Sequence, residues 1–242
     1  LWTHVIKYEK QTNYLPYWNR GRYLREQGKF DLALRDYEQA VAIDPDKPDL
    51  LNSRGKTYFD MATSGKYQVN AELFINNAIR DYTLGLSIKD IKQKTKAEML
   101  INRGSALASQ GKYDQAQTDL LEGLRIVPDN LNGYLNLGLV YFNLQQFDKA
   151  IASYSEVLKL DPYMSNIWYE RGMINRVLNN SKNAIEDLTR ALELQPDFGL
   201  AYLERARAYG QMGNKTEAQK NYQTATQMGV KTQPYDQYLM NR

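Results

Sequence analysis

"NRGRYLREQGKF" spans residues 19–30, and "NRGSALASQGKY" spans residues 102–113. In both, a second glycine, followed by lysine and an aromatic residue, comes seven positions after the first. Following the first glycine along the chain gives Gly21, Gly55, Gly104, Gly138 and Gly172, with Ala206 in the same role, at steps of 34, 49, 34, 34 and 34. Ala33, Ala116, Ala150, Ala184 and Ala218 each follow 12 residues later, whereas Ala78 comes 23 after Gly55. Pro45, Pro128, Pro162 and Pro196 close units. A fixed period of this length marks an array of identical supersecondary units. The 49-residue step is one period carrying an insertion of 15 residues.

Each unit reads as two helices. In the fourth, "YLNLGLVYFNL" (134–144) and "DKAIASYSEVLKL" (148–160) repeat apolar residues at three- and four-residue spacing. Gly138 and Ala150 are small where two helix axes must approach closely. Asp161-Pro162 stops the second helix, because proline disfavours helical backbone in the residue before it. Gly28-Lys29-Phe30, Gly65-Lys66-Tyr67 and Gly111-Lys112-Tyr113 supply the turn, the glycine allowing a left-handed exit and the aromatic packing back into the hairpin.

This pattern resembles the tetratricopeptide repeat family. In unit four the family signature falls on Tyr134, Leu137, Gly138, Tyr141, Ala150, Tyr154, Val157 and Pro162. The resemblance implies an all-α fold, a right-handed superhelical solenoid of helix-turn-helix repeats. It divides residues 14–232 into six repeats: 14–47, 48–96 with the insertion, 97–130, 131–164, 165–198 and 199–232. Residues 1–13 are expected to form the second helix of an incomplete leading repeat, and 233–242 a capping segment with Pro234 in its first turn. "AELFINNAIRDYTLGLSI" within the insertion keeps helical periodicity, which predicts a longer second helix protruding by a turn or two. "KDIKQKTK" (89–96) is expected to be a solvated helix end.

The residue before each repeat glycine is Arg20, Arg54, Arg103, Leu137, Arg171 or Arg205. The partner helix carries Asp36, Asp81, Asp119, Ser153, Asp187 and Asn221 at the matching positions. Where arginine gives way to leucine, the carboxylate gives way to serine. The two positions change together, which predicts that they touch, as partly buried Arg–carboxylate bridges between the helices of a hairpin.

Stacked helix pairs create an extended concave surface. The resemblance places positions 2, 5, 6, 9, 12 and 13 of each repeat on it. In this sequence they include Trp18, Arg22 and Arg25 in repeat one, then Asn52, Lys56 and Phe59 in repeat two. Repeat three adds Asn102, and repeat four Asn132, Asn136, Phe142 and Asn143. Tyr169 and Arg176 follow in repeat five, and Arg207 in repeat six. Asparagine amides can hold a peptide backbone, arginine a carboxylate, and aromatic rings supply rigid contact area. Trp18, Phe59, Phe142 and Tyr169 would otherwise be costly apolar exposure. The expected partner is a protein or peptide, bound as an extended segment or a helix. The lysine and asparagine with which one subfamily clamps a C-terminal carboxylate, at positions 5 and 9 of one repeat, are absent, so that clamp is not expected.

Composition narrows the alternatives. The net charge is +3, too small to imply nucleic acid or an anionic membrane surface. There is no cysteine, which excludes disulfides and thiolate metal sites, and one histidine, His4. No phosphate-binding glycine loop follows a strand pattern. The chain is therefore expected to be non-enzymatic, without cofactor or metal. An RNA-reading helical repeat would want a basic groove, and this one also holds Asp49, Glu98, Glu170 and Glu204. No nucleic-acid partner is expected. No apolar run of 18 residues exists, so no membrane helix is expected within the chain. It begins at Leu1, as a processed chain or fragment would. "LWTHVIKYEKQTNYLPYWNRG" (1–21) is similar to the junction in glycosyltransferase-type polytopic membrane proteins that end in tetratricopeptide repeats. That resemblance implies a membrane tether before Leu1 and a substrate-recognition tail on the non-cytoplasmic face. The rival expectation is a free-standing scaffold in the cytoplasm or periplasm.

Overall fold

The computed structural model describes residues 12–232, and the expectations for 1–11 and 233–242, His4 among them, lie outside the described residues. Every regular element described is helical, apart from turns. The helices come in hairpins: α1 (Leu15–Glu26) with α2 (Phe30–Ile43), α3 (Pro48–Thr63) with α4 (Ala71–Leu86), and α5 (Gln93–Ser109) with α6 (Tyr113–Ile126). They continue with α7 (Leu131–Asn143), α8 (Phe147–Leu160), α9 (Ser165–Val177) with α10 (Ser181–Leu194), and α11 (Gly199–Gln211) with α12 (Lys215–Gln227). The chain divides into two compact units, the first ending at Asn136 and the second beginning at Leu137.

Within a hairpin the small residue of the first helix receives a large one from the second. A Cβ on Gly21 would lie 3.0 Å from the Tyr37 ring, and one on Gly55 2.7 Å from the Tyr82 ring. On Gly104 it would meet Leu120 at 2.8 Å, and on Gly172 Leu188 at 2.9 Å. Tyr37, Tyr82, Leu120 and Leu188 are wholly buried there. The 34-residue glycine ladder is thus a ladder of close helix crossings.

The turns are built alike. Gly28, Gly111 and Gly213 take φ of 68°, 72° and 74°. The N–H of the next residue donates to the carbonyl five positions back, as Lys29 to Leu24 (2.9 Å) and Lys112 to Leu107 (3.0 Å). This satisfies a carbonyl that the helix end would leave bare. Repeats four and five make the same turn with Gln145 (φ 57°) and Asn179 (φ 60°).

The arginine bridges form as the paired sequence changes predict. Arg20 grips Asp36 through two nitrogens at 2.7 and 2.5 Å. Arg54 holds Asp81 at 2.7 and 2.8 Å, and Arg103 holds Asp119 at the same two distances. Arg171 reaches Asp187 at 3.0 and 2.6 Å, and Arg205 donates to Asn221 at 2.8 Å. The remaining nitrogen ties the hairpin to the second helix of the preceding repeat: Arg103 to Thr83, Arg171 to Ser155 and Arg205 to Thr189. In repeat four Leu137 is buried, and Ser153 turns its hydroxyl to the Lys149 carbonyl at 2.9 Å.

The insertion departs from expectation. α4 has 16 residues where α2, α6, α8 and α10 have 14, so the second helix gains only two. The other added residues lengthen α3 and α5, to 16 and 17 residues, and fill the segments 64–70 and 87–92. Gly65 keeps the left-handed turn (φ 72°), but Tyr67 leads into a 3-10 turn, Gln68–Asn70, instead of a helix. The reason is aromatic packing. Tyr67 meets the edge of Phe74 at 5.8 Å, Phe74 stacks on Tyr58 at 6.1 Å, and the Tyr67 hydroxyl donates to Asp31 at 2.7 Å. The added chain is folded back onto repeats one and two, and no helix projects. Lys89, Lys92 and Lys94 are exposed in the linker and the first turn of α5, so the basic run is solvated at the start of a helix.

Candidate functional site: the face of the first helices

The first helices of the first unit stand side by side in one direction. Cross-links between them join equivalent heights. Near the N-terminal ends, the Trp18 indole N–H donates to the Ser53 hydroxyl (2.9 Å), and the Asn52 amide donates to Glu98 (3.4 Å). Asn102 donates to Asn52 at 3.1 Å, and Thr95 to the Asp49 carboxylate at 3.0 Å. Near the C-terminal ends Arg25 pairs with Asp60 at 2.7 Å. Ser105 donates to Asn136 at 3.1 Å, and the Asn136 amide to the Asn132 carbonyl at 2.8 Å. An almost continuous row of side-chain hydrogen bonds therefore crosses α1, α3, α5 and the start of α7.

A cavity of about 240 Å³ opens on this face. Five of the residues predicted from sequence line it: Trp18, Arg22, Arg25, Asn52 and Lys56. Trp18 is half-buried, and the Arg22 guanidinium lies 5.5 Å over its ring. Asn52 is buried and committed on both sides of its amide. Arg25 is tied to Asp60, while neither Arg22 nor Lys56 has an ion-pair partner among the described residues. Glu26, Ser53 and Tyr37 also line the cavity, and the repeat pattern does not single them out. Tyr37 belongs to a second helix, and its ring passes beneath Gly21 to reach this face. Its hydroxyl is buried without a hydrogen-bond partner, and burial pushes its pKa up to about 12, so it stays protonated at neutral pH. The nearby Arg25 and Arg22 favour the phenolate and offset part of that rise.

Phe59 packs against the core cluster of Leu51, Tyr58 and Met61. In the second unit Phe142 meets Phe147 at 5.9 Å, and Tyr169 lies 4.8 Å from Phe198. The premise that Trp18, Phe59, Phe142 and Tyr169 stand exposed is therefore corrected: all four are half-buried against their own neighbours. Asn143 turns its amide to the Leu139 carbonyl at 2.8 Å. Arg176 and Arg207 both donate to buried Glu204, so these two predicted anchors already hold a carboxylate. Glu170 is half-buried with no cation beside it among the described residues, and burial raises its pKa above 4.5. Burial likewise pushes Tyr169 up to about 12.

Among the described residues no group of His, Cys, Asp and Glu is placed to hold a metal ion, and no helix is long and apolar enough to cross a membrane.

Family models described as "TPR repeat" match residues 16–61 and 104–145. "Tetratricopeptide repeat" models match 132–164, 165–198 and 200–228. No curated protein matches the chain in sequence. Solved structures do match in fold. PilF of Pseudomonas aeruginosa superposes with a TM-score of 0.72 at 17% identity, covering 95% of this chain and 97% of its own. MamA from Desulfovibrio magneticus gives 0.61 at 21% identity, over 78% and 98%. YrrB, described as a TPR protein with an unusual peptide-binding site, gives 0.60 at 20% identity, over 83% and 95%.

Proposed function

Because this chain belongs to the tetratricopeptide repeat family, we propose that it is a protein-interaction scaffold that holds an extended peptide or partner helix against its first helices, with the Trp18 cavity as the principal contact. One observation carries this reading. Arg22 and Lys56 border a cavity whose floor and walls are fixed by internal hydrogen bonds, and neither has an ion-pair partner among the described residues. A rigid, pre-organised polar site lowers the ordering cost of binding. Cavity charge favours a protein partner over nucleic acid: Arg22, Arg25 and Lys56 are matched by Glu26, Asp49 and Glu98. A phosphate backbone needs an excess of cations. Arg176 and Arg207, neutralised in part by Glu204, are assigned to holding the second unit's own face and not to the ligand. YrrB, whose description includes a peptide-binding site, supports the same class of function for this fold.

The test begins with a displayed library of random twelve-residue peptides, panned on the whole chain. Enriched peptides are then measured by fluorescence anisotropy against the parent chain and a Trp18→Ala/Arg22→Ala variant, with helicity confirming that both are folded. The expected result is at least a tenfold loss of affinity, the size of effect seen for central aromatic and arginine contacts. Unchanged affinity would move the binding surface away from the first helices.

A further inference from the structure

The cavity on the first unit is neutral in sum but not in arrangement. Asp49, Asn52 and Lys56 share one face of α3. Seven residues of helix separate Asp49 from Lys56 by about 10 Å along the axis. The adjacent first helices keep the same polarity: Glu98 lies beside Asn52 near the N-terminal ends, and Arg22 lies one turn beyond Trp18 toward the C-terminal end. One end of the cavity is acidic and the other basic.

Neither end is closed by an ion pair from within. Lys96 is held by Glu122 at 2.6 Å and Arg25 by Asp60, while Lys47 lies over the Tyr14 ring at 5.4 Å, within electrostatic reach of Asp49 but not paired with it. Asp49 and Glu98 receive only neutral donors among the described residues, from Thr95 and Asn52. At the basic end Glu26, one turn after Arg22, makes no ion pair with it. The wholly buried Tyr37 side chain lines the same cavity, and its hydroxyl has no partner among the described residues. A buried donor without an acceptor costs free energy that a ligand oxygen would recover.

Taking this cavity as the peptide-binding surface, we propose that it selects an extended segment carrying one acidic and one basic side chain two or three residues apart, the acid received by Arg22, Lys56 and the Tyr37 hydroxyl and the base by Asp49 and Glu98. Two or three extended residues span roughly 7–10 Å, which matches the separation of the two ends. Apolar stem atoms of the acidic side chain lie against Trp18.

The experiment uses fluorescein-labelled nine-residue peptide pools, random in Ala, Gly and Ser except at positions 4 and 6. Those two positions are fixed as Lys/Glu, Glu/Lys, Gln/Glu, Lys/Gln or Gln/Gln. Anisotropy on the whole chain is expected to rank a doubly charged pool first, about tenfold tighter than Gln/Gln, with the advantage shrinking between 50 and 300 mM salt. Arg22→Gln/Lys56→Gln should erase the glutamate advantage and keep the lysine advantage, and Asp49→Asn/Glu98→Gln should do the reverse. Tyr37→Phe should weaken the glutamate preference about threefold. A variant that merely unfolds cannot produce this crossed pattern. If all pools bind alike and Trp18→Ala weakens them all, the charge selection is overturned while the peptide-binding surface stands. If no pool binds at all, both fall.

Discussion

At the scale of the residue, the turn position shows how tightly the repeat is specified. Gly28, Gly111 and Gly213 occupy it without steric cost, whereas Gln145 and Asn179 hold the same left-handed backbone with a Cβ. For an L-residue that conformation costs roughly 1–2 kcal/mol, and glycine gives back part of it as extra freedom in the unfolded chain. Gln145→Gly is expected to stabilise the protein by about 0.5–1 kcal/mol, read as a higher urea midpoint with an unchanged slope. Sequence makes the glycines legible and leaves Gln145 silent, because the hydrogen bond from Gln146 to Tyr141 (2.8 Å) imposes the turn whatever the residue. Glu170 gives a pH test. Burial raises its folded pKa, so the folded state binds a proton more tightly than the unfolded chain. Its favourable contribution is full below its ordinary value near 4.5 and is lost as pH rises through the raised folded value. Glu170→Gln should flatten the fall in unfolding free energy across that window, and chemical unfolding from pH 4 to 8 checks it.

At the scale of the element, the arginine bridge behaves as a replaceable part. Its existence is legible because Leu137 and Ser153 change together where the other repeats keep arginine and an acceptor. Its second role, the tie from Arg103, Arg171 or Arg205 to a hydroxyl of the preceding repeat, is not legible, since threonine and serine are unremarkable on a helix surface. Asp119 is nearly buried, so Arg103→Leu alone leaves a desolvated carboxylate without its cation and should cost about 3–5 kcal/mol. Arg103→Leu/Asp119→Ser copies repeat four and should recover to within about 1 kcal/mol of the parent. Thermal or urea unfolding of the two variants decides it; a double variant as damaged as the single one would show that repeat four depends on further compensation. The insertion escapes a sequence reading for a related reason. Its helical periodicity is real, but periodicity does not reveal that Tyr67, Phe74 and Tyr58 gather the extra residues into a folded-back turn.

At the scale of the whole molecule, the family resemblance picks out which positions belong to the face of the first helices, while the state of each side chain is not legible in the sequence. Trp18, Arg22 and Lys56 border a cavity; Arg25, Arg176 and Arg207 are engaged by Asp60 and Glu204. For Arg25 and Arg176 the engaging carboxylate sits in the next repeat, which a single-repeat signature does not carry, whereas Arg207 is held by Glu204 three residues earlier in its own. The folded-back insertion has a practical consequence. Val69 is 99% exposed at the crest of the 3-10 turn, between two anchoring aromatics, in a segment with few backbone bonds to protect it. Thermolysin should cut there first. The two pieces should still elute together in gel filtration, because Tyr82 remains locked beneath Gly55 across the cut. A site that can be severed without releasing either half is also a site that accepts a foreign loop, and an affinity tag or fluorophore inserted at Val69 would leave the face carrying Trp18 untouched.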